Sequence, residues 1–252
     1  MRGTMVLGVE FYPLTLSGAL NAIDWMLERD DGITRLVVTA NPIMLCQALK
    51  DAEFRKILED ADLITPDGQG ILWAAKKVGG SLPERVTGID LARCLFLNRP
   101  DAGYFLLGGK PGIAEAAAER ARRENPAVKI LGTHHGYFRR EEEEQVVSTV
   151  KASGARILFV SMGSPAQEKF IARNSRRLGA RVGIGLGGVL DVLAGKVPRA
   201  PGWCQRMGIE WLYRLVREPR RLPKDLLLLE FVLRVLIESG DSRKHRRKVR
   251  EE

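Results

Sequence analysis

Leu63-Ile64-Thr65-Pro66-Asp67-Gly68-Gln69-Gly70 joins a short apolar run to a turn and then to a helix-like segment that continues through Ala75. A strand passing directly into a helix is the first half of a βαβ unit. Sheets built from such units hold their ligands at the carboxyl ends of the strands. Asp67 stands at that junction, where the positive end of a helix favours an ionised carboxylate. Aspartate is also a common N-cap. Position alone therefore leaves Asp67 either a site carboxylate or a cap, and the other strand ends must separate the two.

Outward from this junction the pattern recurs. Apolar runs at 5–9, 36–39, 62–65, 104–107, 128–131, 156–160 and 181–186 read as strands. Helical periodicity runs over 17–29, with Ser17 as cap, and over 42–49, 70–78, 88–97, 112–124, 141–152 and 167–178. The alternation predicts an α/β fold: a mostly parallel, Rossmann-like sheet with helices on both faces. This core is expected over 1–199, followed by a helical, membrane-binding appendage over 200–252.

In a parallel sheet the strand ends share one edge. Thr39, Asn41, Asp67, Gly108-Gly109-Lys110, the segment ending at Tyr137, the segment ending at Gln167, and Gly187-Gly188 with Asp191 should therefore converge. An edge so rich in glycine and polar groups suits a phosphorylated ligand. Singly the motifs are weak. Leu107-Gly108-Gly109-Lys110-Pro111-Gly112 lacks the spacing and the Ser/Thr of a Walker loop. Gly183-Ile184-Gly185-Leu186-Gly187-Gly188 lacks the spacing of a dinucleotide fingerprint. Such glycine runs serve close packing of helix on strand about as often. Asp60-Ala61-Asp62 has the form of a DxD metal motif, but it precedes its strand and so belongs to the opposite edge, which favours a structural role. His134 and His135 have no companion at ligand spacing, and no GxSxG motif occurs. No metal or cofactor is expected.

With 252 residues, 45% of them hydrophobic, the chain can bury a full core. Residues 1–8 carry no signal-peptide pattern, and no run of about 18 uncharged apolar residues occurs, so a spanning helix is not expected. Cys46, Cys94 and Cys204 are odd in number and show no CxxC spacing, which fits a reducing cytoplasm. The net charge is +9, and from Arg199 onward 14 Lys and Arg face 8 Asp and Glu. A cationic end points to an anionic partner. There Trp203, Ile209, Trp211, Leu212, Leu215 and Val216 are interleaved with Arg206, Arg214, Arg217, Arg220 and Arg221, and 226–237 is apolar but for Glu230 and Arg234. Apolar faces flanked by arginine favour an anionic membrane surface over nucleic acid. A helix pair packed on the core is the alternative, and a homo-oligomer in solution would hide the same surface.

The chain resembles the WecG/TagA/CpsF family of bacterial glycosyltransferases along almost its whole length. The resemblance is carried by Thr39-Ala40-Asn41-Pro42, Pro66-Asp67-Gly68-Gln69-Gly70, Pro83-Glu84-Arg85-Val86-Thr87-Gly88, Gly132-Thr133-His134-His135-Gly136-Tyr137-Phe138 and Gly163-Ser164-Pro165-Ala166-Gln167-Glu168-Lys169. Gly185-Leu186-Gly187-Gly188-Val189-Leu190-Asp191, Arg199-Ala200-Pro201, Glu210-Trp211-Leu212-Tyr213-Arg214-Leu215 and Glu218-Pro219-Arg220-Arg221 continue it. It implies a metal-independent, inverting transferase that takes a UDP-sugar donor and a polyprenyl-diphosphate-linked sugar acceptor. The family's best-known activity moves N-acetylmannosamine onto undecaprenyl-diphospho-N-acetylglucosamine in teichoic acid linkage-unit synthesis. Donors such as UDP-N-acetylmannosaminuronic acid or UDP-glucose remain open. By the same resemblance Asp67 is the base, and Thr39, Asn41, Arg85 and Gln167 match pocket residues. Arg214, Arg217, Arg220 and Arg221 fall in an appendage that closes over the site and meets the diphosphate. The expected location is peripheral, on the cytoplasmic face of the cell membrane.

Overall fold

The computed structural model describes residues 3–207, 210–217 and 222–251. It opens with β1 (Thr4–Val6) and β2 (Val9–Phe11), an antiparallel hairpin, then α1 (Leu16–Leu27) and β3 (Arg35–Ala40). α2 (Pro42–Ala48), α3 (Ala52–Glu59), β4 (Leu63–Pro66), α4 (Gln69–Lys77) and α5 (Gly88–Asn98) follow. Next come β5 (Tyr104–Gly108), α6 (Ile113–Glu124), β6 (Ile130–His134), α7 (Glu143–Ala152) and β7 (Ile157–Ser161). α8 (Ala166–Arg173), β8 (Val182–Gly185), α9 (Val189–Leu193), α10 (Gly202–Met207), α11 (Glu210–Arg217) and α12 (Leu222–Glu251) complete the chain.

Six strands form one sheet in the order β4-β3-β8-β7-β5-β6, and every neighbouring pair is parallel. Its side chains alternate between two cores, as the two-residue period of a strand requires. Leu36, Val38, Phe105, Leu107, Leu158 and Val160 join Met44, Phe54, Ile71, Val146, Phe170 and Phe231 on one face. Val37, Leu106, Phe159 and Ile184 join Ile23, Leu91, Ala117 and Leu190 on the other. Each large side chain buried this way contributes roughly 1.5–3 kcal/mol. The α/β architecture read from the sequence is thus present, with helices on both faces.

Several local expectations change. The run at 5–9 is a hairpin rather than one strand, because Leu7 (φ 49°) and Gly8 (φ 80°) turn the chain between β1 and β2. Thr15, not Ser17, caps α1, its hydroxyl accepting from the Gly18 N–H at 3.2 Å. α3 was not anticipated; Asp51 caps it by accepting from the Phe54 N–H at 3.0 Å. β6 begins two residues late because Asn125 forms a turn, its carbonyl and side-chain oxygens accepting from Val128 and Ala127. α8 stops at Arg173, where Asn174 donates its side-chain amide to the Phe170 carbonyl (3.0 Å) and Glu143 (2.8 Å).

The glycine run that fails as a dinucleotide fingerprint has a packing role. A Cβ on Gly185 would lie 2.8 Å from both Gln167 Nε2 and Glu168 Oε1. A Cβ on Gly183 would lie 2.8 Å from Ile171. Bare backbone on this face of β8 lets α8 lie against the sheet and brings Gln167 to the strand ends.

α12 packs one face on the core. Phe231 and Val235 are buried, Phe231 stands 6.5 Å from Trp73 between ring centres, and Cys46 Sγ donates to the Leu227 carbonyl at 3.5 Å. Lys50 pairs with Glu230 at 2.5 Å, and Glu238 accepts from the Leu7 N–H at 3.1 Å. The opposite face stays bare: Leu226, Leu229, Leu233 and Ile237 are 56%, 66%, 62% and 66% exposed. Among the described residues, no helix is long and apolar enough to cross a membrane.

Candidate active site

A cleft of about 420 Å³ opens at the carboxyl edge, over the ends of β4, β3 and β8. Thr39 and Asn41 leave β3, Asp67 leaves β4, Ser164 and Gln167 follow β7, and Gly187 and Gly188 follow β8; all line it. The apolar wall includes Ile43, Met44, Ile89, Val189 and Val192.

Asp67 is held by its backbone, whose N–H donates to the Ala40 carbonyl at 2.8 Å. The next residue, Gly68, has φ 104° and holds the N-cap position of α4, so Asp67 stands one residue before the cap position and not in it. Asn41 is the cap of its own helix: Oδ1 accepts from the Ile43 and Met44 N–H groups at 3.0 and 3.2 Å, which leaves the amide NH₂ out of the cap. Thr39 Oγ1 donates to the Gly185 carbonyl at 3.0 Å. Gln167 Oε1 accepts from the Gly187 N–H at 2.8 Å, and Ser161 Oγ donates to the Gly187 carbonyl. The end of β8 is thus pinned from β3, α8 and β7.

Glu168 lies wholly buried beside this network. Its Oε1 accepts from Gln167 Nε2 at 2.6 Å, and its Oε2 has no hydrogen-bond partner. Burial pushes its carboxyl above the ordinary glutamate range, with the Gln167 amide and its own backbone N–H opposing the shift. Buried atoms without partners concentrate here. Gln47 Oε1, Ser164 Oγ and Arg199 Nε belong to cleft-lining residues, and unsatisfied groups of this kind commonly mark a ligand site.

The loop carrying Arg85 is stitched to β4: the Val86 N–H donates to the Pro66 carbonyl at 2.9 Å, and Thr65 Oγ1 donates to the Val86 carbonyl at 3.1 Å. Arg85 Nη1 pairs with Glu210 Oε2 at 2.7 Å, and Glu210 is itself part of the cleft wall. Arg199 also lines the cleft, bound to Asp90.

Thr39, Asn41, Asp67, Gln167 and Gly187 of the sequence-based set are brought together. Tyr137 and Asp191 are not among the cleft-lining residues: Tyr137 lies 68% exposed after β6, the sheet edge opposite β4, and Asp191 lies in α9. Arg214 and Arg217 belong to α11, but their side chains, like Arg220 and Arg221, lie outside the described residues. Gln47, Ser164, Arg199 and Glu210 were not singled out from sequence, although Ser164, Arg199 and Glu210 fall within the stretches that carry the family resemblance. Asp62 binds at the far edge, Oδ2 accepting from the Leu36 N–H at 2.8 Å, and Asp60 pairs with Lys56. Both belong to the packing of β3, β4 and α3.

A parallel sheet with a polar cleft at its strand ends, an aspartate at one junction and a residue of α11 in the wall is the arrangement in which α/β proteins hold a ligand. The model of the glycosyl transferase WecG/TagA/CpsF family matches residues 4–245, and the chain belongs to that family of glycosyltransferases. It is 31% identical over 235 residues to the N-acetylglucosaminyldiphosphoundecaprenol N-acetyl-beta-D-mannosaminyltransferase of Bacillus subtilis (strain 168), covering 92% of this chain and 91% of that protein. A Bacillus spizizenii enzyme of the same name is 34% identical over 203 residues, covering 79% and 78%.

Proposed function

We propose that this glycosyltransferase moves N-acetylmannosamine from UDP-N-acetylmannosamine to undecaprenyl-diphospho-N-acetylglucosamine. The observation that carries the reading is Asp67, a carboxylate lining the cleft where β4 ends, in a chain similar over nine-tenths of its length to an enzyme named for that transfer. Direct displacement with inversion needs one base for the acceptor hydroxyl and counter-charge for the departing UDP. Asp67 is the base; proton removal runs in concert with attack, so an ordinary carboxylate suffices. Asn41 offers its amide NH₂ to the donor, and Thr39 and Gln167 hold the β8 end against which the donor lies. Arginines answer the diphosphate, with Arg85 from the loop after α4 and Arg214, Arg217, Arg220 and Arg221 from the appendage, because guanidinium groups match phosphate geometry.

The acceptor's lipid explains the bare face of α12. Leu226, Leu229, Leu233 and Ile237 face outward on a helix whose other side is anchored, and the surrounding tail is cationic. In this reading that row rests on the anionic inner surface of the cell membrane, beside which the acceptor's diphosphate enters the cleft. The test is UDP release by the purified protein with a lipid-diphospho-N-acetylglucosamine analogue and a panel of UDP-sugars. Release with UDP-N-acetylmannosamine above the other donors is expected; preference for another sugar, or no dependence on the lipid acceptor, overturns it.

A further inference from the structure

Among the described side chains that line the cleft, Arg199 is the only cation; Asp67 and Glu210 are its carboxylates. It comes from the segment between α9 and α10, outside every element of the sheet. One nitrogen, Nη2, reaches both oxygens of Asp90, at 2.8 and 2.9 Å. Asp90 also accepts from Thr87 Oγ1 at 2.7 Å and sits in the first turn of α5, whose N-terminus takes up part of its charge. A guanidinium has five N–H donors in a fixed fork, and Asp90 engages only one of its nitrogens. The Nε–H bonds to nothing. Arg122 and Arg156, by contrast, donate to the backbone carbonyls of Ile130 and Leu27, at 2.8 and 2.7 Å, and lie outside the cleft lining. Arg199 has a carboxylate that fixes its plane, spare donors and a place in the wall of a polar cleft.

We propose that Arg199 binds the diphosphate of the nucleotide sugar, aimed by Asp90 and, through it, by Thr87. The proposal rests on the cleft being the donor site of the transferase described above. It gives the core its own phosphate contact, separate from the arginines of α11 and the segment after it. The rival role is a brace for the chain where it leaves the core.

The two roles separate on the phosphates. Binding of UDP and of uridine to the full-length protein, measured by titration calorimetry without acceptor, should show UDP bound more tightly by the wild type. Arg199→Gln should weaken UDP about 10- to 100-fold, the worth of a charged hydrogen-bonding group, and leave uridine unchanged. Arg199→Lys should recover part of the loss, since it keeps the charge without the fork. Asp90→Asn, with the arginine intact, should give a smaller loss confined to UDP; together with the lysine variant it carries the test if the glutamine variant does not fold. Wild-type UDP affinity in folded Arg199→Gln protein, or equal losses for UDP and uridine, overturns the proposal. A wild type that does not bind UDP instead overturns the donor assignment, which is a distinguishable failure.

Discussion

Arg85 and Glu210 lie 125 residues apart in the chain and 2.7 Å apart in the structure. The pair joins the loop stitched to β4 to the first residue of α11, and its side chains are only 17% and 20% exposed. Through it, a residue of the appendage becomes part of the cleft wall.

Glu210→Ala is expected to loosen α11 by roughly 1.5–3 kcal/mol, the worth of the charged hydrogen bond that ties Arg85 to it. Limited proteolysis should then cut faster within 200–217, with little change in the melting temperature of the core. Arg85→Glu combined with Glu210→Arg should restore part of the protection. Unchanged cleavage rates in Glu210→Ala would show that the pair does not hold the appendage.

Asp67→Asn should fold normally and lose about 10²–10⁴-fold in turnover, the usual contribution of a general base. Donor affinity, measured by calorimetry with UDP, should change little. A folded Asp67→Asn enzyme with near-normal turnover would remove Asp67 from the role of base.

Leu229, Leu233 and Ile237 can be changed to serine without touching the buried Phe231 and Val235. The triple variant should keep its melting temperature and bind anionic vesicles at least several-fold more weakly, since each apolar side chain contributes on the order of 1 kcal/mol or more when it leaves water. Transfer to a lipid-embedded acceptor should fall with it, while transfer to a short, soluble acceptor should not. Equal losses on both acceptors would count against a membrane role for this row.

Glu168→Gln is expected to stabilise the protein as pH rises. A carboxyl whose folded value is raised contributes most below its ordinary titration range, and that contribution is lost as pH climbs toward the folded value. Thermal melts should therefore show the variant gaining on the wild type from weakly acid to neutral pH. A constant difference across that range would mean that burial does not raise the Glu168 carboxyl.

The sheet was legible because buried parallel strands are short apolar runs, and their ends named Thr39, Asn41, Asp67 and Gln167 in advance. Leu7 hid a turn inside an apolar run, since a leucine with positive φ gives no compositional sign. The tail divided differently. Residues 226–237 read as apolar but for Glu230 and Arg234, which fits either a membrane surface or a helix packed on the core; the structure buries Phe231 and Val235 and leaves Leu229 and Leu233 bare, so the run packs on one side only. Arg199 and Glu210 could not be placed on the cleft from spacing, because each reaches it by tertiary contact from outside the sheet.

The order β4-β3-β8-β7-β5-β6 also governs how the molecule comes into being. β8, residues 182–185, is the last of the six sheet strands to leave the ribosome and, among the described residues, the one that bonds both β3 and β7. Until it arrives, the nascent sheet is two separate pieces, each with an open edge that invites wrong pairing. Asp67 belongs to one piece and Gln167 to the other, so the cleft spans a seam that closes only when synthesis has passed residue 185. A chain interrupted just before that point carries Asp67 and Gln167 without the strand that joins their two pieces.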